Sequence, residues 1–282
     1  YSINLIAVNQ KDKGVELLVN LRDQPKEALF YWIRGNIVSD YSSLANQDFQ
    51  KAYELEKENW RYALSYAESL GAQEKWNEGI DLLLSSLKKY NNNYSLGLKT
   101  AEYYVKTRAF EKAIKILDTL DVLPYEHAKD SRSIYLNAHV GLALKMYFEG
   151  NLTETKMLLN KALKWPENLG VGKPFNAEER VIRFMLALIA DTEKAQLELN
   201  QVALYSTKQL EPGKKENLLG LYAIELTKGK SDALLFAQHL DKDASNANEK
   251  DVVGSVLAFS LSHPVKTLKD VSLSKVLDFI DN

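Results

Sequence analysis

The side chains that most often do chemistry are sparse in this chain and badly spaced for it. The four histidines, His127, His139, His239 and His263, are scattered, and no two stand at the HExxH spacing that puts a pair of imidazoles on one helix face for zinc. There is no cysteine, which excludes disulfides, thiolate metal sites and a cysteine nucleophile. Serine is common, but none sits in a Gly-x-Ser-x-Gly elbow. The stretch Gly170-Val171-Gly172-Lys173-Pro174 has the glycines and lysine of a phosphate loop. The remaining requirements fail: Glu167 stands where the first glycine belongs, Pro174 replaces the magnesium-binding Ser/Thr, and a helical pattern rather than a strand precedes it. Glu54, Glu56 and Glu58 lie close together, but paired carboxylates do acid–base work only in a pocket that separates their pKa values. On a helix rich in Lys and Glu such pairs belong to the solvated face. No catalytic residue, metal ligand or cofactor is expected, and the chain reads as non-enzymatic.

The elements that carry these residues are those of a globular chain. Of 282 residues, 45% are hydrophobic and 26% charged, values of a packed protein and not of a disordered one. The net charge of −2 is spread evenly, with 19 basic and 20 acidic residues in 1–150 and 17 and 18 in 151–282. That leaves no basic face for a nucleic acid or an anionic membrane. The longest apolar run, Phe184–Ala190, lies between Arg183 and Asp191 and is too short to span a bilayer. The chain begins at Tyr1 without a methionine and reads as a fragment or a processed chain. Its lack of cysteine does not choose between cytosol and periplasm.

A period of 34 residues organises the middle of the chain. Ser42, Trp76 and Phe110 mark one position in successive copies. Nine residues before the marker stand Ile33, Ala67 and Ala101; three after it stand Ala45, Gly79 and Ala113. Seven after come Phe49, Leu83 and Leu117, and ten after come Ala52, Ser86 and Leu120. Small residues recur where two antiparallel helices approach, and a large one fills the space to the next unit. Units of this kind cannot bury their apolar faces alone and must stack. A fourth copy is marked by Leu152, with Ala143, Thr155, Leu159 and Ala162 at the same offsets. It follows 42 residues after Phe110, and the excess of eight is placed in a linker, 121–130, that contains Pro124. All six prolines fall at helix starts or between helices, where a missing N–H is harmless. Asn151–Glu154 and Asn176–Glu179 resemble capping boxes.

With that register the chain resembles the tetratricopeptide repeat family over Lys26–Pro166. The fold class expected is all-α, an α-solenoid of antiparallel helix pairs. Residues 1–24 are read as two short lead-in helices, 25–175 as about four repeats, and 176–282 as degenerate repeats and capping helices. Paired helices are expected over 177–190 and 193–208, 215–227 and 232–241, and 251–261 and 266–280. In this family the first helix of each unit lines a concave groove. The register then places Phe30, Leu64, Leu98 and Val140 in one row, Arg34, Glu68, Glu102 and Leu144 in the next, and Ile37, Gly71, Val105 and Tyr147 in a third. The family's best-known ligand mode clamps a terminal carboxylate with lysine and asparagine in the first two rows. Here those rows are apolar and mixed in charge, so a different ligand is expected. Phe30, Arg34, Leu64, Glu68, Leu98, Glu102, Val140 and Tyr147 are the candidate groove residues.

The loop Trp165–Asn176 is the second candidate, because loops on rigid scaffolds often carry function. Trp165, Asn168, Gly170, Gly172 and Lys173 are its expected contact residues. The segment Pro166–Gly172 following Lys161-Ala162-Leu163-Lys164 is similar to the C-terminal helical array of large bacterial proteins in which a mutarotase-like β-sandwich region precedes tetratricopeptide repeats. That resemblance implies a partner in the same polypeptide. Two functions follow: a non-catalytic scaffold for protein–protein or interdomain contact, or an accessory helical domain of a carbohydrate-active enzyme that supplies a loop to its site.

Overall fold

The computed structural model describes residues 11–21, 25–38, 42–124 and 129–281. All regular structure among them is helical, as the period requires. α1 (Lys11–Val19) is the one lead-in helix that can be described; the segment Ile3–Val8 lies outside the described residues. Three hairpins follow: α2 (Ala28–Ile37) with α3 (Ser42–Leu55), α4 (Trp60–Gly71) with α5 (Trp76–Leu87), and α6 (Tyr94–Lys106) with α7 (Phe110–Leu117). Next come α8 (Lys129–Phe148), α9 (Leu152–Ala162), α10 (Arg180–Leu188), α11 (Thr192–Lys208), α12 (Asn217–Lys228), α13 (Lys230–Asp243), α14 (Ala247–Ser262) and α15 (Leu273–Asp281). The fold is all-α, built of tetratricopeptide-type helix pairs in series, the α-solenoid class.

Local chemistry sets the helix starts. Asn59, Asn93, Asn151, Asp191 and Asn246 each accept a backbone N–H of the following turn and so cap α4, α6, α9, α11 and α14. The turns inside the hairpins repeat as well. Glu74 and Arg108, one period apart, both adopt left-handed φ angles of 59° and 58°. Gly150 takes the same role in the fourth copy, at φ 82°. In each the next N–H reaches back five residues, Lys75 to Leu70 O, Ala109 to Tyr104 O and Asn151 to Met146 O, at 3.0, 2.7 and 2.9 Å.

The chain packs as two compact units, Tyr1–Gly141 with Pro166–Val171, and Leu142–Trp165 with Gly172–Asn282. In the first, the small residues of the period sit at the closest helix approaches. Ala67, Ala101, Ala113 and Ala52 are wholly buried, with Leu83 and Leu117 beside them. Tyr103 of α6 enters the space that two glycines leave in the preceding hairpin. A Cβ on Gly71 would lie 2.2 Å from its hydroxyl, and one on Gly79 2.7 Å from its ring. The hydroxyl donates to Ala67 O at 2.8 Å, and burial pushes its pKa up to about 12. In the first repeat Arg34 and Asp48 form a buried bidentate pair, Nε and Nη2 at 2.8 and 2.7 Å from the carboxylate oxygens. In the second unit one core runs through α10–α15 and includes Phe184, Leu199, Leu219, Tyr222, Phe236, Val256 and Val276.

Three expectations are corrected. The linker expected over 121–130 ends two residues early: residues 121–124 lie outside any helix, 125–128 fall outside the described residues, and α8 starts at Lys129, with 20 residues where α4 and α6 have 12 and 13. The helix expected from Ala177 starts only at Arg180, because Glu178 turns to accept the Arg180 N–H and guanidinium instead of leaving its segment helical. The segment expected as one helix over 266–280 is a short 3-10 turn, Leu268–Asp270, and then α15. There Asp270 gathers the N–H groups of Lys266 and Thr267 and so caps the start of the 3-10 turn, as a separate element before α15.

Candidate functional site

Helices α4 and α6 and the first half of α8 line an open cleft of about 530 Å3 within the first unit. α4 contributes Leu64 and Glu68, four apart; α6 contributes Ser95, Leu98, Lys99, Glu102 and Lys106; α8 contributes Asp130, Ser133, Ile134 and Asn137. Steps of three and four keep each set on one helix face. Leu98 and Ile134, 7% and 8% exposed, form an apolar floor with the half-buried Leu64. Above the floor the charges interlock. Lys99 Nζ lies 2.9 Å from Glu102 and 3.4 Å from Glu68. Burial alone would lower the pKa of the Lys99 ammonium; the hydrogen bond to Glu102 and the attraction of both carboxylates outweigh it and raise it. One fixed cation therefore serves two carboxylates, both still partly in solvent. With Asp130 and Lys106 added, three carboxylates face two ammoniums in the cleft. The cleft offers acceptors above an apolar floor, suited to holding a chain segment that carries N–H groups and positive charge.

Four of the eight expected groove residues, Leu64, Glu68, Leu98 and Glu102, meet in this cleft. The others do not line it. Arg34 is 5% exposed, spent on Asp48 and set over the Phe30 ring at 5.2 Å, so both residues belong to the packing of the first repeat. Val140 lies too far along α8, because the lengthened helix brings Ile134 to the cleft instead. Tyr147 falls in the second unit, edge-on to Phe148 at 5.4 Å. Ser95, Lys99, Lys106, Asp130, Ser133, Ile134 and Asn137 were missed. Lys99 was within reach, one residue beyond Leu98; the α8 set lies in a helix longer than the period predicts.

The loop divides in two. Asn168 points inward: its Nδ2 donates to Leu120 O and Leu117 O at 2.8 and 3.2 Å, and its own carbonyl accepts from Val122 N at 2.7 Å. Ser131 Oγ donates to Leu169 O at 2.8 Å, and Leu169 is buried. Gly170 is left-handed at φ 69°, and a Cβ there would lie 2.4 Å from Val122 O. Asn168 and Gly170 thus staple the loop to the end of α7, a structural task and not the outward contact expected of them. Trp165 is half-buried in the second unit. Gly172 and Lys173 are exposed, and Lys173 Nζ pairs with Glu179 at 2.5 Å. Among the histidines, His139 is buried with Nδ1 2.9 Å from Tyr135 O, His239 is exposed on α13, and His263 stacks on Phe259 at 4.3 Å. His127 lies outside the described residues. No described helix is long and apolar enough to cross a membrane.

No protein-family model matches this sequence, and no curated protein matches it. Solved structures do. A tetratricopeptide repeat protein from Parabacteroides merdae ATCC 43184 shares 12% identity over 92% of this chain and 96% of its own, with a TM-score of 0.45. PilW, a widely conserved type IV pilus biogenesis factor, shares 14% over 89% and 94%, with a TM-score of 0.43. The Cut9–Hcn1 hetero-tetramer of the APC/C shares 13% over 91% of this chain but 48% of that one, with a TM-score of 0.38. At such identities none of them lends this chain a ligand or a task.

Proposed function

We propose that the protein is a non-catalytic scaffold whose α4–α6–α8 cleft binds a segment of another protein, or of a neighbouring part of a larger polypeptide, that combines apolar and cationic side chains. The observation that supports this is the Glu68–Lys99–Glu102 triad above Leu64, Leu98 and Ile134. It replaces a lysine–asparagine carboxylate clamp with acceptors, so the ligand it favours is opposite in charge. The apolar floor supplies affinity through burial, and the carboxylates supply orientation and rejection of acidic segments.

The test is a titration of the isotope-labelled full chain with two short peptides, each a pair of leucines flanked either by lysines or by glutamates. The lysine-flanked peptide should shift amide resonances of α4, α6 and α8, and the double substitution Glu68→Lys/Glu102→Lys should weaken it by about tenfold or more. Both glutamates are partly exposed, so the fold should persist, as circular dichroism will show. Leu98 is too buried to serve as a probe. Equal binding of the two peptides to these helices would end the proposal.

A further inference from the structure

The second unit has a pocket of its own, about 290 Å3, close to the lower end of small-ligand sites at about 300 Å3. Its walls are fixed by an ionic ladder. Arg180 is 1% exposed; its Nε and Nη2 hold Glu178 at 3.0 and 2.5 Å, its Nη1 donates to Asn217 Oδ1 at 2.8 Å, and its guanidinium lies 5.1 Å over the Tyr205 ring. Arg183 reaches Glu179 at 2.8 Å and Glu198 at 2.9 Å, and Lys173 takes the other oxygen of Glu179. These contacts tie α10 to α11 and α12 and seat the preceding loop, whose Asn176 carbonyl accepts the Tyr205 hydroxyl at 3.3 Å. The site is therefore organised before any ligand arrives, which lowers the entropy cost of binding.

The mouth differs from the walls. Each carboxylate of the ladder is answered by a cation, whereas Lys208, exposed in the last turn of α11, makes no ion pair among the described residues. Beside it the Phe175 ring is fully in solvent, at 104% relative exposure, and Leu204 is 45% exposed. Leu197, 61% exposed, continues the same α11 face, seven residues before Leu204. Large apolar side chains standing in water beside unspent positive charge are a surface short of a partner. We propose that this pocket is a second binding site, for an acidic protein segment that sets an apolar side chain against Phe175 and Leu204 and its carboxylates at Lys208 and the outer edge of Arg183. The pocket lining itself carries Lys173, Arg180, Arg183 and Lys208 against the one carboxylate of Glu179, with Glu211 and Glu216 acting on Tyr205 from outside the lining, so the complementary segment is acidic, the reverse of the α4–α6–α8 cleft.

The same two peptides test it on the full chain, read at different resonances. The glutamate-flanked peptide should shift amides of α10, α11 and the 172–179 loop. Lys208→Glu and Phe175→Ala, both at solvent-exposed positions, should each weaken that binding by about threefold to tenfold, with the Lys208 share fading as salt rises. The site is overturned if neither peptide binds there, if both bind alike, or if the two variants leave the affinity unchanged. Displacement by citrate as effective as by the peptide would also overturn it, since the pocket would then read a bare anion. These outcomes are independent of the cleft, which favours the other peptide and reports through other helices.

Discussion

In the first unit the apolar side chains divide into several small clusters, most of them shared by neighbouring hairpins; in the second, a larger cluster runs from Phe184 to Val276, with Leu158, Leu159 and Ala162 of α9 buried outside it. The difference follows the sequence period. Where small and large residues recur at fixed offsets, each hairpin closes its space with its neighbour, as Tyr103 does against Gly71 and Gly79. Where the period decays, helices meet more than one neighbour, and the core is pooled. Serial cores should open locally, and a pooled core should open as a whole.

Matched substitutions can break that contrast. Asp48→Ala strands a buried guanidinium in the first repeat and should cost about 3–5 kcal/mol. Phe236→Ala empties a site in the pooled core and should cost a similar 3–5 kcal/mol or so. Hydrogen exchange separates them. Asp48→Ala should speed exchange in α2 and α3 while α6 and α7 stay slow, and Phe236→Ala should speed it throughout α11–α14. Replacing both members of the pair, Arg34→Met with Asp48→Leu, should recover most of the loss, since the cost lies in the unpaired charge. If Asp48→Ala frees α6 and α7 equally, the serial picture fails.

A smaller effect tests both units at once. Tyr103 in the first and Tyr222 in the second are each 2% exposed, and burial pushes both hydroxyls up to about 12. An unfolded tyrosine ionises near pH 10 or so. Because the folded pKa is the higher, the folded state holds its proton longer. The stability from this source is whole below about pH 10 and is lost as pH rises through about 12. Melts followed by near-ultraviolet circular dichroism should show an alkaline fall in each unit, and Tyr222→Phe should flatten it only in the second. An alkaline fall that survives both phenylalanine variants would assign it to other groups.

The period made the hairpins legible before the structure, because it reports on distances between helix axes. Ala67, Ala101 and Ala113 are as buried as their spacing demands. Groove positions were legible only where the period held. Leu64, Glu68, Leu98 and Glu102 come together, but α8 is longer than the first helices of the other copies, and the lining there falls at Ile134 and not at Val140. Arg34 shows a second limit. A charged residue on a first helix reads as surface unless its partner is known, and Asp48 is 14 residues away on another helix. Asn168 and Gly170 look outward in a loop rich in Gly and Pro, yet they answer backbone groups of residues 117–122, a pairing that no local pattern encodes.

The smallest expected effect concerns the turns of the periodic hairpins. Glu74 and Arg108 hold left-handed angles that crowd a Cβ against its own backbone, at a cost of about 1–2 kcal/mol for a non-glycine residue. The fourth copy makes the same turn with Gly150, around which a Cβ would meet nothing within 4 Å, so the cost of a side chain in this turn comes from the backbone angle and not from crowding by neighbours. Both Glu74 and Arg108 are exposed, and a change at either touches no packed neighbour. Glu74→Gly and Arg108→Gly should therefore each stabilise the chain, by a net of about 0.5–1 kcal/mol once the greater freedom of an unfolded glycine is subtracted. The two should add, because they lie in separate hairpins and share no partner. Gly150→Ala should act in the opposite sense by a similar amount. Urea titrations that hold the slope constant will read these as shifts of midpoint alone. A loss of stability in Glu74→Gly would mean that its side chain, and not its backbone, is what the turn uses.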